Sequence, residues 1–188
     1  MKILVIGGTH GMGKDVMEYF SPNSMNVSRT NGYDIRNGEK RKEIANLSVE
    51  YDAVLNHAYC GRMEQYSMLK EIYNCWSEID HKGYIFHTGT YSTYSVNWNP
   101  KSNYTDMKLA TDELAKKISK QCENNIHQFK CTNLRPGMLD TPRSRLKPHW
   151  EGNGIKGQDM AKIIEFLYNL PWEVCIPQIV IQAKHDPI

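Results

Sequence analysis

No apolar run in this 188-residue chain approaches the roughly 20 residues that a membrane-spanning helix needs. Neither sign of charge dominates. Lys plus Arg number 23 and Asp plus Glu 21, for a net charge of +2, so the overall balance offers no basic footprint for nucleic acid or a membrane surface. Cysteine is sparse and unpaired: Cys60, Cys75, Cys122, Cys131 and Cys175 are odd in number and scattered. They show no C-x-x-C and no Cys/His spacing, which argues against a structural zinc or a disulfide framework and for reduced thiols. Met1-Lys2 runs directly into an apolar segment, with no charged region, apolar core and cleavage site ahead of it. There is no repeat period and no low-complexity linker. These absences predict a single domain over residues 1–188, cytoplasmic, whose partners are small molecules rather than nucleic acid or membrane.

What the chain does have is a glycine-rich turn. The apolar run Ile3-Leu4-Val5-Ile6 stops on Gly7-Gly8, and Gly11 and Gly13 follow before a helical period begins. A strand, a tight turn and a helix in that order place backbone amides at a helix N-terminus. Glycine lets a diphosphate approach them without a Cβ in the way. Gly7, Gly11 and Gly13, with Thr9, His10 and Met12 between them, are therefore the first candidate cofactor-binding residues.

Strand-like and helix-like segments then alternate. Helical stretches are read at Met12 to Phe20, Glu39 to Leu47, Arg62 to Ile79, Tyr104 to Glu123 and Gln158 to Asn169. Strands are read at Met25 to Ser28, Tyr51 to Asn56, Tyr84 to His87, Phe129 to Leu134 and Val174 to Gln182, with a vestigial strand at Tyr33-Asp34-Ile35. Pro177 places the last of these at an edge or bulge. The alternation predicts an α/β fold, a Rossmann-type doubly wound parallel sheet of about seven strands in three trimmed layers, with ligands beyond the carboxyl ends of the strands.

Two features carry chemistry. Tyr104 and Lys108 stand four residues apart, on one face of a helix. A cation beside a phenol favours the phenolate, and lowering a tyrosine by about three pKa units takes roughly 4 kcal/mol of differential interaction. The expectation is a depressed Tyr104 pKa and a proton donor and acceptor usable near neutrality. Tyr66 and Lys70 share the spacing but lie inside a helix that leads toward the fifth strand, whereas Tyr104 opens the helix following Thr90 and so can sit at the strand ends. The end of the second strand carries Ser28 and then Arg29 where an acidic residue would hydrogen-bond a ribose diol. That charge favours NADP(H) over NAD(H).

From its first to its last strand the chain resembles the short-chain dehydrogenase/reductase family. Gly7-x-x-x-Gly11-x-Gly13 is similar to the glycine spacing of its shorter members. Asn56-His57-Ala58-Tyr59 resembles the family's N-N-A-G, and Gly83 to Thr90 resembles the strand ending in the catalytic serine. Tyr104-x-x-x-Lys108 matches the signature pair, and Arg135-Pro136-Gly137 with Thr141-Pro142 resemble the elements flanking the nicotinamide.

The resemblance implies an oxidoreductase acting on a small carbonyl or alcohol substrate, as a homodimer or homotetramer. Tyr104 would exchange the proton, Lys108 would bind the nicotinamide ribose, and Thr90 would hold the substrate oxygen. Asn56, His57, Ala58, Asp34, Ile35, Pro136, Gly137 and Thr141 would contact the cofactor. Apolar helix surfaces near Trp76 and Leu114 would form the subunit contact. Departures are the His57 and Tyr59 replacements and a shortened stretch between Ala58 and Gly83, in which no fourth catalytic Asn is assignable. The alternative reading is a dinucleotide-binding sensor or scaffold of the same fold that has lost catalysis. Arg143, Arg145 and Lys147 form a basic loop, read as solvated rather than as an anion site.

Overall fold

The computed structural model describes residues 1–93, 103–148, 150 and 152–184; most of the polar loop expected before Tyr104 lies outside them. The elements alternate as β1 (Ile3–Ile6), α1 (Gly11–Tyr19), β2 (Ser24–Val27), α2 (Gly38–Ser48), β3 (Ala53–Asn56), α3 (Glu64–Glu78), β4 (Tyr84–Thr88), α4 (Asn103–Glu123), β5 (Lys130–Pro136), α5 (Gly157–Tyr168) and β6 (Gln178–Ile181). The strands form one sheet in the order β2-β1-β3-β4-β5-β6, and every adjacent pair is parallel.

Strand alternation builds two cores. Leu4, Ile6, Val54 and Ile85 face α2, α3 and α4, where they meet Ile44, Leu69, Ile72, Trp76 and Ile118. Ile3, Val5, Leu55 and Phe86 face the other way, onto Met12 and Val16 of α1 and Met160, Ile164 and Leu167 of α5. Strands buried on both faces must read as continuous apolar runs, as β1 and β3 do. Six strands are present among the described residues rather than about seven. Residues 33–35 are not a strand: four residues after Ser28 are too few for a crossover helix. The chain instead makes a short 3-10 turn at Arg29–Asn31, drops Ile35 into the core and caps α2 with Asn37.

Trp76 is wholly buried and supplies none of the expected apolar surface for a subunit contact, while Leu114 packs against the same core and is partly buried. β6 starts directly after Pro177, whose carbonyl accepts the Asn133 amide, and it forms the sheet edge. Among the described residues no helix is long and apolar enough to cross a membrane, and no group of His, Cys, Asp or Glu could hold a metal ion.

Strand order reverses at β1, with β2 on one side and β3 on the other. That is the topological switch point, where the loops after β1 and β3 diverge and leave a crevice.

Candidate active site

The glycine turn closes this crevice from below. Gly7 sits at φ +98°, and a Cβ there would lie 2.9 Å from the backbone of Ala58, which donates its amide to the Ile6 carbonyl at 2.7 Å. A Cβ on Gly13 would lie 2.4 Å from the Gly7 carbonyl oxygen. Gly11 has φ +54°, with the Thr141 methyl 3.1 Å from its Cβ position. α1 therefore begins hard against the turn. Its N-cap His10 supplies no side-chain cap and its first turn holds no acid, so its free amides and partial positive charge are left for an anion. This cradle fits a dinucleotide diphosphate. Met12 contributes only backbone, since its side chain is in the core, and Lys14 pairs with Glu18 at 3.4 Å.

Gly13→Ala is expected to lower stability by about 1–3 kcal/mol, because the backbone must move to admit the methyl group. Gly38→Ala, where the nearest atom is the tip of Arg41 at 3.5 Å, should not. Paired thermal melts of the two variants check this.

The far end of the crevice is made by hydroxyls. Thr9 Oγ1 lies 3.2 Å from Thr30 Oγ1, which lies 2.8 Å from Ser28 Oγ, and the Ser28 amide donates to Asn31 at 2.7 Å. Arg29 is exposed and forms no ion pair among the described residues. Asp34 is tied to the Arg36 side chain at 2.5–3.0 Å, and hydrogen bonds from Arg36 pull its pKa down to about 2. Ile35 is turned into the core. Asn56 is also turned inward: it is wholly buried and donates to the Gln65 carbonyl at 3.0 Å, away from the adenosine side.

At the opposite end Thr90 and Tyr104 converge. Their side chains share a hydrogen bond, and Tyr104, second residue of α4, keeps 37% of its surface exposed. Lys108, one turn on, is 4% exposed and donates to Gln65 Oε1 at 2.7 Å and to the Thr88 carbonyl at 2.8 Å. The Lys108 ammonium lies 5.8 Å from the Tyr104 ring centroid and 5.4 Å from that of Tyr59, whose ring packs edge-on against Tyr104 at 5.0 Å.

The expected depression of Tyr104 is not seen. Burial raises its pKa above the ordinary phenol value, and the Thr90 hydrogen bond and the Arg143 charge offset that only in part. Lys108 is the group that moves, down to about 8, because burial penalises its charge and Asp112 compensates incompletely. Burial first and the Lys108 charge second hold His57 down to about 4, with its Nδ1 3.3 Å from Thr88 Oγ1. His57 is thus a neutral wall of the site.

Pro136 ends β5, and the Gly137 amide donates to the Ile181 carbonyl at 2.7 Å, which turns the following loop back toward α1. Thr141 closes that loop onto Ser144 through contacts of 2.9 and 3.1 Å. Of the basic loop residues, Arg145 is committed to Asp140 at 2.6 Å, whereas the Arg143 charge reaches both Tyr104 and Tyr59.

Two buried polar residues escaped the sequence reading. Gln65 is 2% exposed, and its Nε2 donates to the carbonyls of Asn56 (3.1 Å) and Thr88 (3.2 Å). Asp112, 3% exposed, accepts from Arg135 at 2.7 Å and Asn133 at 2.8 Å, and it shares the single Thr93 hydroxyl proton with the Thr90 carbonyl, each 2.8 Å from Thr93 Oγ1. The available signal was position: Gln65 heads the inward stripe Met68, Leu69, Ile72, Trp76 of α3, and Asp112 lies in the inward stripe of α4.

Turn, crevice and Tyr-Lys pair together describe a doubly wound α/β protein with a candidate site at its topological switch point. The fold is that of the short-chain dehydrogenases and reductases. An alcohol dehydrogenase from the archaeon Thermococcus sibiricus, solved with 5-hydroxy-NADP, is similar over 100% of this chain and 99% of its own at TM-score 0.74 and 18% identity. A betaketoacyl-[ACP] reductase from Bacteroides thetaiotaomicron is similar over 98% and 97% at TM-score 0.74 and 21% identity. A short chain dehydrogenase from Burkholderia cenocepacia, in complex with NADP, is similar over 96% and 95% at TM-score 0.76 and 14% identity. No protein-family description and no curated protein sequence matches the chain.

Proposed function

We propose that the protein is an NADP(H)-dependent oxidoreductase of the short-chain type, acting between a small carbonyl and its alcohol. The observation that carries this reading is the meeting of Thr90, Tyr104 and Lys108 at the strand ends opposite the glycine cradle. A bound reduced nicotinamide would supply the hydride.

This chain's residues do the rest. The α1 N-terminus and Gly7, Gly11 and Gly13 receive the diphosphate, Thr141 closes over it, and Lys108 presents its ammonium to the nicotinamide ribose. Thr90 positions the substrate oxygen, and the Tyr104 hydroxyl gives up its proton there. Tyr104 is fully protonated at neutral pH, so reduction is the direction its resting state serves. The free Arg29 guanidinium, with Asp34 neutralised by Arg36, supports preference for a 2′-phosphate. A pure sensor has no need of this convergence, which favours the enzyme over the scaffold.

The test is calorimetric titration with NADPH and NADH, followed by turnover of a ketone and aldehyde panel. Tighter NADPH binding and carbonyl-dependent NADPH oxidation are expected; binding of neither coenzyme overturns the reading.

The pH dependence follows from Lys108. Its charge is present below about 8 and lost above it, so kcat/KM for carbonyl reduction should hold through neutrality and fall as pH rises through about 8. The stability term runs the other way. The unfolded lysine titrates near 10.5, so the unfolded chain binds more protons between about 8 and 10.5, and the burial cost of Lys108 is relieved as pH rises across that window. Lys108→Arg, which cannot lose its proton there, should remove the falling limb from the rate profile.

A further inference from the structure

The Lys108 ammonium is 4% exposed and has groups from four elements around it. On its own helix it faces Tyr104 and Asp112. From the loop after β3 come His57 and Tyr59, from β4 come His87 and the Thr88 carbonyl, and from α3 comes Gln65. Asp112 is itself committed to Arg135 of β5. His87 is wholly buried, and burial first and the Lys108 charge second keep it neutral, so it adds no second positive charge beside the ammonium. Among the described residues the direct acceptors of the ammonium are one backbone carbonyl and the Gln65 amide.

Gln65 is fixed by its own donors. Nε2 holds the last carbonyl of β3 and the last carbonyl of β4, which leaves Oε1 aimed at Lys108. Rotating the amide would place its NH2 against the ammonium and its oxygen against two carbonyls, so only one orientation is satisfied.

We propose that Gln65 is a positioning residue for Lys108: it reads the ends of β3 and β4 with its NH2 group and uses its oxygen to hold the ammonium where the ribose and Tyr104 need it. This rests on the oxidoreductase reading for its purpose, but not for its geometry. Gln65 acts through Lys108 and touches no reacting atom.

Two variants test it. Gln65→Met keeps the length and deletes the amide; Gln65→Glu keeps an oxygen and adds a charge. Lys108 is titrated in the coenzyme-free protein by NMR on 13Cε-labelled lysine, its signal assigned with Lys108→Arg. The midpoint should fall by about one pH unit or more in Gln65→Met and rise by about one or more in Gln65→Glu, since lost and gained stabilisation of the charge act in opposite directions. With NADPH and a turned-over carbonyl, the high-pH limb of kcat/KM should move the same way in each variant. In a Lys108→Met background Gln65→Met should not weaken NADPH binding further. Folded variants whose Lys108 midpoints both match the wild type would overturn the proposal, as would additive losses in the double variant. A wild type that binds no nicotinamide nucleotide while the two midpoints diverge as stated would overturn the proposed function and sustain the placement of Gln65.

Discussion

Tyr104→Phe is expected to lower kcat for carbonyl reduction by about 10²- to 10⁴-fold, the range for losing a positioned proton donor. NADPH affinity should stay nearly unchanged, because the phenyl ring keeps its packing against Tyr59 and its place beside the Lys108 ammonium. A fall in kcat without a matching rise in coenzyme Kd marks an interaction made only in the transition state. Thr90→Ser, which keeps a hydroxyl at the partner position, should retain most turnover, whereas Thr90→Ala should not. Steady-state kinetics with calorimetric NADPH binding checks the set; equal loss of binding and turnover in Tyr104→Phe would reassign the residue to structure.

Asp112→Ala should be the most damaging single change to stability, costing about 3–5 kcal/mol, because it strands a largely buried guanidinium without its partner. Arg135 is 12% exposed and its carboxylate partner 2%, so water cannot replace the lost charge. The same change leaves the Asn133 amide without this acceptor and gives the Thr93 proton to the Thr90 carbonyl alone. Asp112→Ala combined with Arg135→Met should recover part of the stability, since the uncompensated charge is then gone. Chemical denaturation of the three proteins measures it; no recovery in the double variant would mean that the ion pair is not the cause.

The contrast between these two residues shows what the sequence carries. Tyr104 and Lys108 are legible because their spacing on one helix is local, and the glycine turn is legible because each glycine meets a local backbone demand, as at Gly7. The alternation that gives the three layers is local too. Asp112 and Gln65 are not, because what makes them important lies in β5, β4 and β3, brought close only by the fold. A polar residue within an apolar helical stripe was the one trace they left.

Burial explains the other differences. Lys108 was expected to depress the Tyr104 pKa, but its ammonium donates to Gln65 and Thr88, and burial of the phenol raises its pKa instead. Ile35 and Asn56 have the residue types of cofactor contacts, yet both side chains are drawn inward, one into the core and one onto α3. The missing third strand follows from chain length alone, since the segment between Ser28 and Tyr33 has no room for a crossover.

The most direct test of the account follows the hydride itself. The purified protein is incubated with NADPH carrying deuterium on one face of nicotinamide C4 and with a carbonyl panel, and the alcohol is examined by mass spectrometry and NMR. The account predicts deuterium on the former carbonyl carbon from one labelled face only, with Tyr104→Phe slowing the transfer by about 10²- to 10⁴-fold. Product without label, transfer from both faces, or transfer undiminished in Tyr104→Phe would contradict it.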